Sequence, residues 1–428
     1  MMFRLFVGLF VLAGFLGAQA PQEVVLSAST SLKLGVAVPA AQVQGLDAGL
    51  VARELHGTLL RDLEEAGPFS LVRDAHPRST EPPAYKAWVE IGADWLLLLK
   101  AARLQGEELE VVAQVIDVKS GKPGFNRRYH GQDRVLRRIA HTLADDLMAR
   151  LTGERGVADT RIVFVRDLGG GIKEIFQVDR DGLGLTQLTF HRSLTLSPTL
   201  APDGRLAYIT FKAGGPEIWG QLKPGAAHVR LYPGSGTRNI GHLSAPAWSP
   251  DGRRLAFVQG DRRGNSDIMV LDVSSGRARR LTDSNCINTE PSWNPAGTQL
   301  AFTSDREGSP QVYLMEEDGS NVRRLTREGG YNATPAWSPT GAMVAYVSRF
   351  EGKFDLFVYN LKDGKSYQVT TGLASSESPD WAPDERRIVF TSGSRGGMQL
   401  FTTDLSGQTL RRLTDFTGAQ SPRWGRSR

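Results

Sequence analysis

The sequence predicts a six-bladed all-β propeller of four-stranded blades, preceded by a small α/β domain. Three observations predict it. A short strand reading Pro-x-Trp recurs at Pro246, Pro291, Pro335, Pro379 and Pro422, in steps of 45, 44, 44 and 43, with a worn copy at Pro198 one step of 48 earlier. Each full unit carries four strand-like runs, and a fixed period in the forties with four strands per unit is the sequence signature of a propeller blade. The ends of the repeat region are complementary: residues 161–189 supply second, third and fourth strands, while Ser421-Pro-Arg-Trp424 supplies a first strand alone. Joined, they make one blade from both ends, and the count is six.

The 428 residues are enough for two or three domains. Arg4, an apolar run from Leu5 to Leu16 and Ala18-Gln19-Ala20 have the charged start, short apolar middle and small-x-small end of a secretory signal peptide cut after Ala20. The run is shorter than the ~20 residues that span a bilayer. No later stretch is long and apolar enough to span, so the mature chain is expected to have no transmembrane segment and to be periplasmic. The predicted domains are therefore 1–20 (signal), 21–152 (α/β), 153–160 (linker) and 161–428 (propeller).

In the α/β domain, Ser31 to Val38 alternates toward a strand. Asp47 is placed to cap a helix whose Val51, Leu55, Leu59 and Leu63 share one face, with Gly67-Pro68 as its stop. Phe69 to Arg73 reads as a strand, Tyr85 to Ile91 as a short helix and Trp95 to Leu99 as a buried strand. Leu109 to Asp117 and Phe125 to Tyr129 read as further strands. A last helix from Arg134 to Thr152 points Leu136, Ile139, Leu143, Leu147 and Leu151 inward and stops at Gly153. The link that follows is short, which predicts closely placed domains.

A full propeller unit is seen from 291 to 326: Pro291-Ser-Trp293, a turn, Leu300 to Thr303, Gln311 to Met315, then Val322 to Thr326. Proline cannot donate to a sheet ladder, so Pro-x-Trp belongs on an edge strand, here the innermost one facing the channel. Its Trp is expected to pack between blades. The second repeat, from Pro198 to Tyr232, lacks that Trp and reads irregularly through Gly214 to Ala227.

Net charge is +5. The arginine pairs at 253–254, 279–280, 323–324, 386–387 and 411–412 are dispersed once per repeat, mostly before Leu-Thr. Charges on outer edge strands discourage edge-to-edge pairing, and no aromatic cluster accompanies them, so nucleic acid is not an expected partner. Cys286 is the only cysteine, and one cysteine closes no intramolecular disulfide.

No catalytic grouping is legible. There is no Gly-x-Ser-x-Gly elbow, HExxH or phosphate loop. The seven histidines are scattered. The residues before the inner-strand prolines are Ser197, Ala245, Glu290, Thr334, Ser378 and Ser421, a poor cage for calcium, which takes about six to eight oxygens. The expectation is a protein without enzyme activity, cofactor or metal. Two rivals stand against it: a channel-centred hydrolase, which needs convergent carboxylates or histidines, and a peptidase gate, which needs an attached hydrolase domain.

The chain resembles the TolB family. The resemblance is carried by Ala140-His141-Thr-Leu-Ala-Asp145, Leu151-Thr-Gly153-Glu-Arg-Gly156 and Thr160-Arg161-Ile162 at the domain junction. It extends to Asn288-Thr-Glu-Pro-Ser-Trp293, Leu300 to Asp305 and Pro310 to Tyr313 in the repeats. It implies a monomeric periplasmic adaptor of the Tol–Pal envelope system, supporting outer-membrane integrity and cell division. It implies a Pal-type peptidoglycan-associated lipoprotein bound at the propeller mouth and a TolA-type inner-membrane protein met by the mature N-terminus. Carried over residue by residue, the Pal-type contacts fall on His242, Ala245, Thr289 and Glu290. The alternative is a similar propeller with another periplasmic ligand. Three departures stand out: Ala158 where the family usually has Phe, the missing Trp of the second repeat, and a mature start at Pro21 to Val25 only loosely like the family's.

Overall fold

The computed structural model describes residues 33–72, 85–234, 241–261, 263–350, 352–394 and 397–425. The signal segment, the mature start, Ser31 and Arg73 lie outside the described residues.

The first sheet runs, in spatial order, Phe69–Leu71, Leu34–Ala37, Trp95–Arg103, Glu108–Asp117 and Pro123–Gln132. The first pairings are parallel and the last antiparallel. Trp95–Arg103 is buried on both faces: Leu97 and Leu99 meet Leu55, Leu59, Leu143 and Leu147 on one side. Leu96 and Leu98 meet Trp88 and Ile116 on the other. A continuous apolar run is what a strand covered on both faces requires. On Leu34–Ala37, flanked by a strand on each side, Gly35 leaves no room for a side chain, because a Cβ there would stand 2.0 Å from the Gly92 carbonyl oxygen.

The structure adds one strand to this domain and corrects two expectations. A short strand, Gln42–Gln44, pairs parallel with the far half of Trp95–Arg103; its three residues are too few to show a period. The helix after Asp47 is not a uniform α-helix: Val51–Gly57 is π-helical between Ala48–Leu50 and Thr58–Ala66. The apolar residues 51, 55, 59 and 63 are spaced by four, and a 3.6-residue turn drifts against that spacing. The wider i→i+5 turn takes up the drift and leaves Val51, Leu55, Leu59 and Leu63 fully buried together. The last helix begins at Leu136 rather than Arg134, after a 3-10 turn at Asp133–Val135. Its stop is as expected, with Gly153 left-handed at φ 77°.

The propeller consists of six four-stranded antiparallel sheets. Blade 1 spans 195–232, blade 2 243–280, blade 3 288–324, blade 4 332–368 and blade 5 376–412. Blade 6 joins Ala419–Trp424 to Arg161–Gly169, Ile172–Asp179 and Thr186–Gln187. The irregular second repeat forms an ordinary blade. Leu200 stands where the other inner strands carry Trp, and Gly220 packs against the Leu206 carbonyl in a space no side chain could share.

The inner tryptophans do pack between blades. Trp248 lies among Ala207, Ile209 and Leu255, and Trp293 among Ala256, Ile268 and Leu300. Trp293 Nε1–H donates to Ala247 O at 3.2 Å, and Trp381 Nε1–H to Ala336 O at 2.9 Å, each reaching the preceding blade. The recurring Leu-Thr is explained as well. Its Thr hydroxyl accepts a third-strand N–H (Ile175, Ile268, Val312, Leu356 or Leu400) at 2.8–3.0 Å, finishing the ladder where the fourth strand stops.

The edge-strand reading of the arginines needs correction. Arg386 donates to Ala66 O at 2.7 Å and to Glu154 Oε2 at 2.6 Å, and Arg387 to Glu65 O at 2.6 Å. Arg411 donates to the Glu65 carboxylate and to Asp181 O. These groups dock the α/β domain on blade 5, and Arg180 of blade 6 reaches its Asp62 and Glu65. Asp145 holds the connection between domains, accepting the N–H groups of Ala158 and Asp159 at 2.6 and 3.0 Å.

Candidate binding site at the channel mouth

In an antiparallel blade the first–second and third–fourth turns fall on one face of the disc. The second–third turns and the links between blades fall on the other. The α/β domain is docked through Arg386, Arg387 and the Asp179–Asp181 turn, all on the first face. The inner strands therefore enter from the opposite face.

Every inner strand bulges just before its proline, with register shifts at 196/199, 244/247, 289/292, 333/336, 377/380 and 420/423. At each bulge one non-glycine residue is left-handed: Ser197, Ala245, Glu290, Thr334, Ser378 and Ser421, with φ of 51°, 47°, 56°, 52°, 54° and 49°. A following proline ordinarily pushes a residue to extended geometry, and each left-handed residue costs on the order of 1–3 kcal/mol. The six form a ring, and together with the residues after the prolines they line a channel of about 310 Å³.

His242 and Ala245 lie at the entry of blade 2, and Thr289 and Glu290 at the equivalent place in blade 3, so the four sequence-predicted residues sit on neighbouring inner strands. His242 is exposed, its Nε2 2.9 Å from Ser244 Oγ. Thr289 is half-buried and pairs with Thr303. Glu290 points inward: its Oε2 accepts from Thr303 Oγ1 and from the Thr334 N–H of blade 4, both at 2.8 Å.

Two charged channel residues escaped the sequence reading, which stopped at the position before each proline. The position after it reads Thr199, Ala247, Ser292, Ala336, Asp380 and Arg423. Thr199, Ser292 and Asp380 each accept the Trp N–H of the next inner strand, at 3.5, 3.1 and 2.6 Å. This tier therefore stitches blades together, and Arg423 adds a cation. Burial pushes the Glu290 carboxyl above its ordinary range, against its two hydrogen bonds and the pull of Arg423. Burial likewise raises Asp380, opposed first by Arg423. Both are partly buried among protein groups, and the low polarisability of that surrounding wall sets the direction.

A closed six-bladed ring with one face capped by an α/β domain and the other presenting a strained, polar mouth defines a class of two-domain propeller proteins. The family model described as the TolB beta propeller domain matches residues 148–428, and that of the TolB amino-terminal domain matches residues 23–123. The chain belongs to the TolB family.

A "Protein TolB homolog" of Chlorobium chlorochromatii is 35% identical over 256 residues, 58% of this chain and 56% of the relative. A "Tol-Pal system protein TolB" of Anaeromyxobacter dehalogenans is 32% identical over 300 residues, 65% of this chain and 64% of the relative. The matches thus span between half and two thirds of these curated relatives. The crystal structure of TolB from Acinetobacter baumannii superimposes with a TM-score of 0.73 over 95% of this chain and 98% of that one, at 24% identity. That likeness bears on the fold. Among the described residues no helix is long and apolar enough to cross a membrane.

Proposed function

We propose that this chain is a non-enzymatic adaptor of the Tol–Pal envelope system that binds a Pal-type peptidoglycan-associated lipoprotein at the propeller mouth. In this reading residues 1–20 are removed on export, 21–152, 153–160 and 161–428 act as domain, linker and propeller, and the product works in the periplasm as a monomer. It supports outer-membrane integrity and cell division, and its mature N-terminus meets a TolA-type inner-membrane protein.

The observation that carries the reading is the ring of six left-handed residues around the mouth. Backbone strain gathered in one place on an otherwise regular scaffold is the kind that function retains. The face opposite the α/β domain also carries exposed apolar side chains at Phe190, Ile287 and Phe350, and apolar groups beside a polar ring suit a protein partner. His242, Ala245, Thr289 and Glu290 are the proposed contacts. Support for the partner class comes from the relatives named as Tol-Pal system proteins.

Calorimetric titration with the organism's soluble Pal-type domain tests the proposal. Saturable binding, weakened at least tenfold by Thr289→Arg at the rim and by Glu290→Lys, is the expected result. Heat changes indistinguishable from dilution would remove the Pal assignment. Binding unchanged in both variants would move the interface elsewhere.

A further inference from the structure

Where the α/β domain meets blade 6, three potential ligands converge. A ring nitrogen of His141 and one carboxylate oxygen each from Asp179 and Asp181 lie within 4.8 Å of one another. His141 projects from the helix Leu136–Thr152 of the α/β domain, and the two aspartates flank the turn after the third strand of blade 6. His141 is 2% exposed and Asp181 8%. We propose that this cluster binds one divalent transition-metal ion of the zinc class, which ties the α/β domain to the propeller.

The histidine carries the argument. Its Nδ1 lies 2.6 Å from Asp62 Oδ2, and Asp62 is itself held by Arg180, whose Nη2 lies 3.5 Å from Asp62 Oδ1. A carboxylate on Nδ1 orients the ring and favours the tautomer that leaves the Nε2 lone pair free. Metal-binding histidines are usually supported in this way. Nε2 is buried and makes no hydrogen bond, an expensive state for a polar atom unless something uses it.

The carboxylates leave room for such an ion. Arg137 takes Asp181 Oδ1 at 2.5 Å and Asp179 Oδ2 at 3.4 Å. The other contact to Asp181 Oδ1 is the Leu183 N–H at 3.2 Å. The second oxygen of Asp179 has Arg161 Nε no nearer than 3.9 Å, and both hydrogen bonds to Asp181 fall on its Oδ1. Arg137 can stay on one oxygen of each while the other oxygens ligate. Ligands about 2.1 Å from a common tetrahedral ion stand roughly 3.4 Å apart, so closure needs movements of about 1 Å. One imidazole and two carboxylates suit zinc, cobalt or nickel, whereas calcium and magnesium prefer all-oxygen shells.

The test uses the untagged chain, stripped with chelator and titrated with Zn2+ against a chromophoric competitor, then with Co2+ to read its visible spectrum. One equivalent per chain is expected, with Co2+ bands of a four- or five-coordinate site and a higher melting temperature for the loaded chain. His141→Gln should abolish the bands. Asp62→Asn, which weakens the support of the ring together with the pairing to Arg180, should weaken uptake about 10–100-fold. Asp179→Asn, at a half-exposed position, should weaken uptake in a chain whose circular dichroism is native, which guards against loss of the fold. The exposed His130→Ala should change nothing. No stoichiometric uptake by the native chain would overturn the proposal, and so would uptake and spectra unaltered by both His141→Gln and Asp179→Asn. The Pal titration is independent of either result, since it reads the opposite face.

Discussion

Asp380 shows a residue serving structure at a cost in charge. Its Oδ2 accepts the Trp424 N–H at 2.6 Å and so joins blade 5 to the closing strand. Burial lifts its carboxyl above the ordinary aspartate value of 3.8, with Arg423 opposing. A raised folded value means that the native state binds its proton more tightly than the unfolded chain. The associated stability is therefore complete below about pH 3.8 and is lost as pH rises through the folded value. Asn in place of Asp380 keeps an oxygen for Trp424 and removes the buried charge. Asp380→Asn is expected to melt higher than the native chain at pH 7.5, with the difference shrinking as pH falls and the native carboxyl protonates. Melting curves from pH 7.5 down to 4.5 check this, and a variant that melts lower at pH 7.5 would mean that attraction to Arg423 outweighs desolvation. Such residues were only partly legible in the sequence. Glu290 was found because it precedes a proline. Asp380 and Arg423 were not, because one position's shift along an inner strand changes the tier of the channel.

At the scale of elements, the inner strands decide how well one blade holds the next. Trp381 is 4% exposed, lies among Ala333, Ala336 and Ile388, and donates from Nε1 to Ala336 O. Trp337 is only partly buried and its Nε1 has no partner. Replacing a buried aromatic by Ala costs about 3–5 kcal/mol. Trp381→Ala is expected in that range, measured by denaturant unfolding, and Trp337→Ala clearly below it. Equal losses would show that the shared Pro-x-Trp position, rather than the burial and bond of each ring, sets the contribution. The periodic elements were the legible ones: four strands per unit, the Leu-Thr mark and the helix ending at Gly153. The π-helical stretch at Val51–Gly57 was not, because the apolar spacing that calls for it also passes for an amphipathic α-helix. The docking arginines were not, because Arg386 and Arg411 differ from their equivalents Arg253 and Arg279 in what lies above them and hardly in their local sequence.

For the whole molecule, the ring is closed by one strand. Ala419–Trp424 pairs with Arg161–Gly169 through Arg166, Val165, Val163 and Ile162. Trp424 Nε1–H donates to Thr160 Oγ1 at 2.9 Å, and Gly425 N–H to Arg161 O at 2.7 Å. The same strand bears Arg423, the cation that opposes both raised channel carboxyls. Beside it, blade 6 carries Asp179, Arg180 and Asp181, the footing of the α/β domain. Deleting residues 421–428 removes one inner edge, one inter-blade Trp and the channel cation together. It strips Ile162 and Val163 of their partners on the edge of Arg161–Gly169 and exposes Phe164 and Val178, which pack around Trp424. Unpaired strand edges invite association. The truncated chain is expected to lose single-transition melting, to bind a hydrophobic dye and to aggregate on gel filtration. Adding the missing segment back as a peptide should restore part of the native melt, because the strand docks by backbone pairing. A truncated chain that stays soluble and melts in one transition near the native temperature would mean that five blades and three strands hold the ring without their clasp.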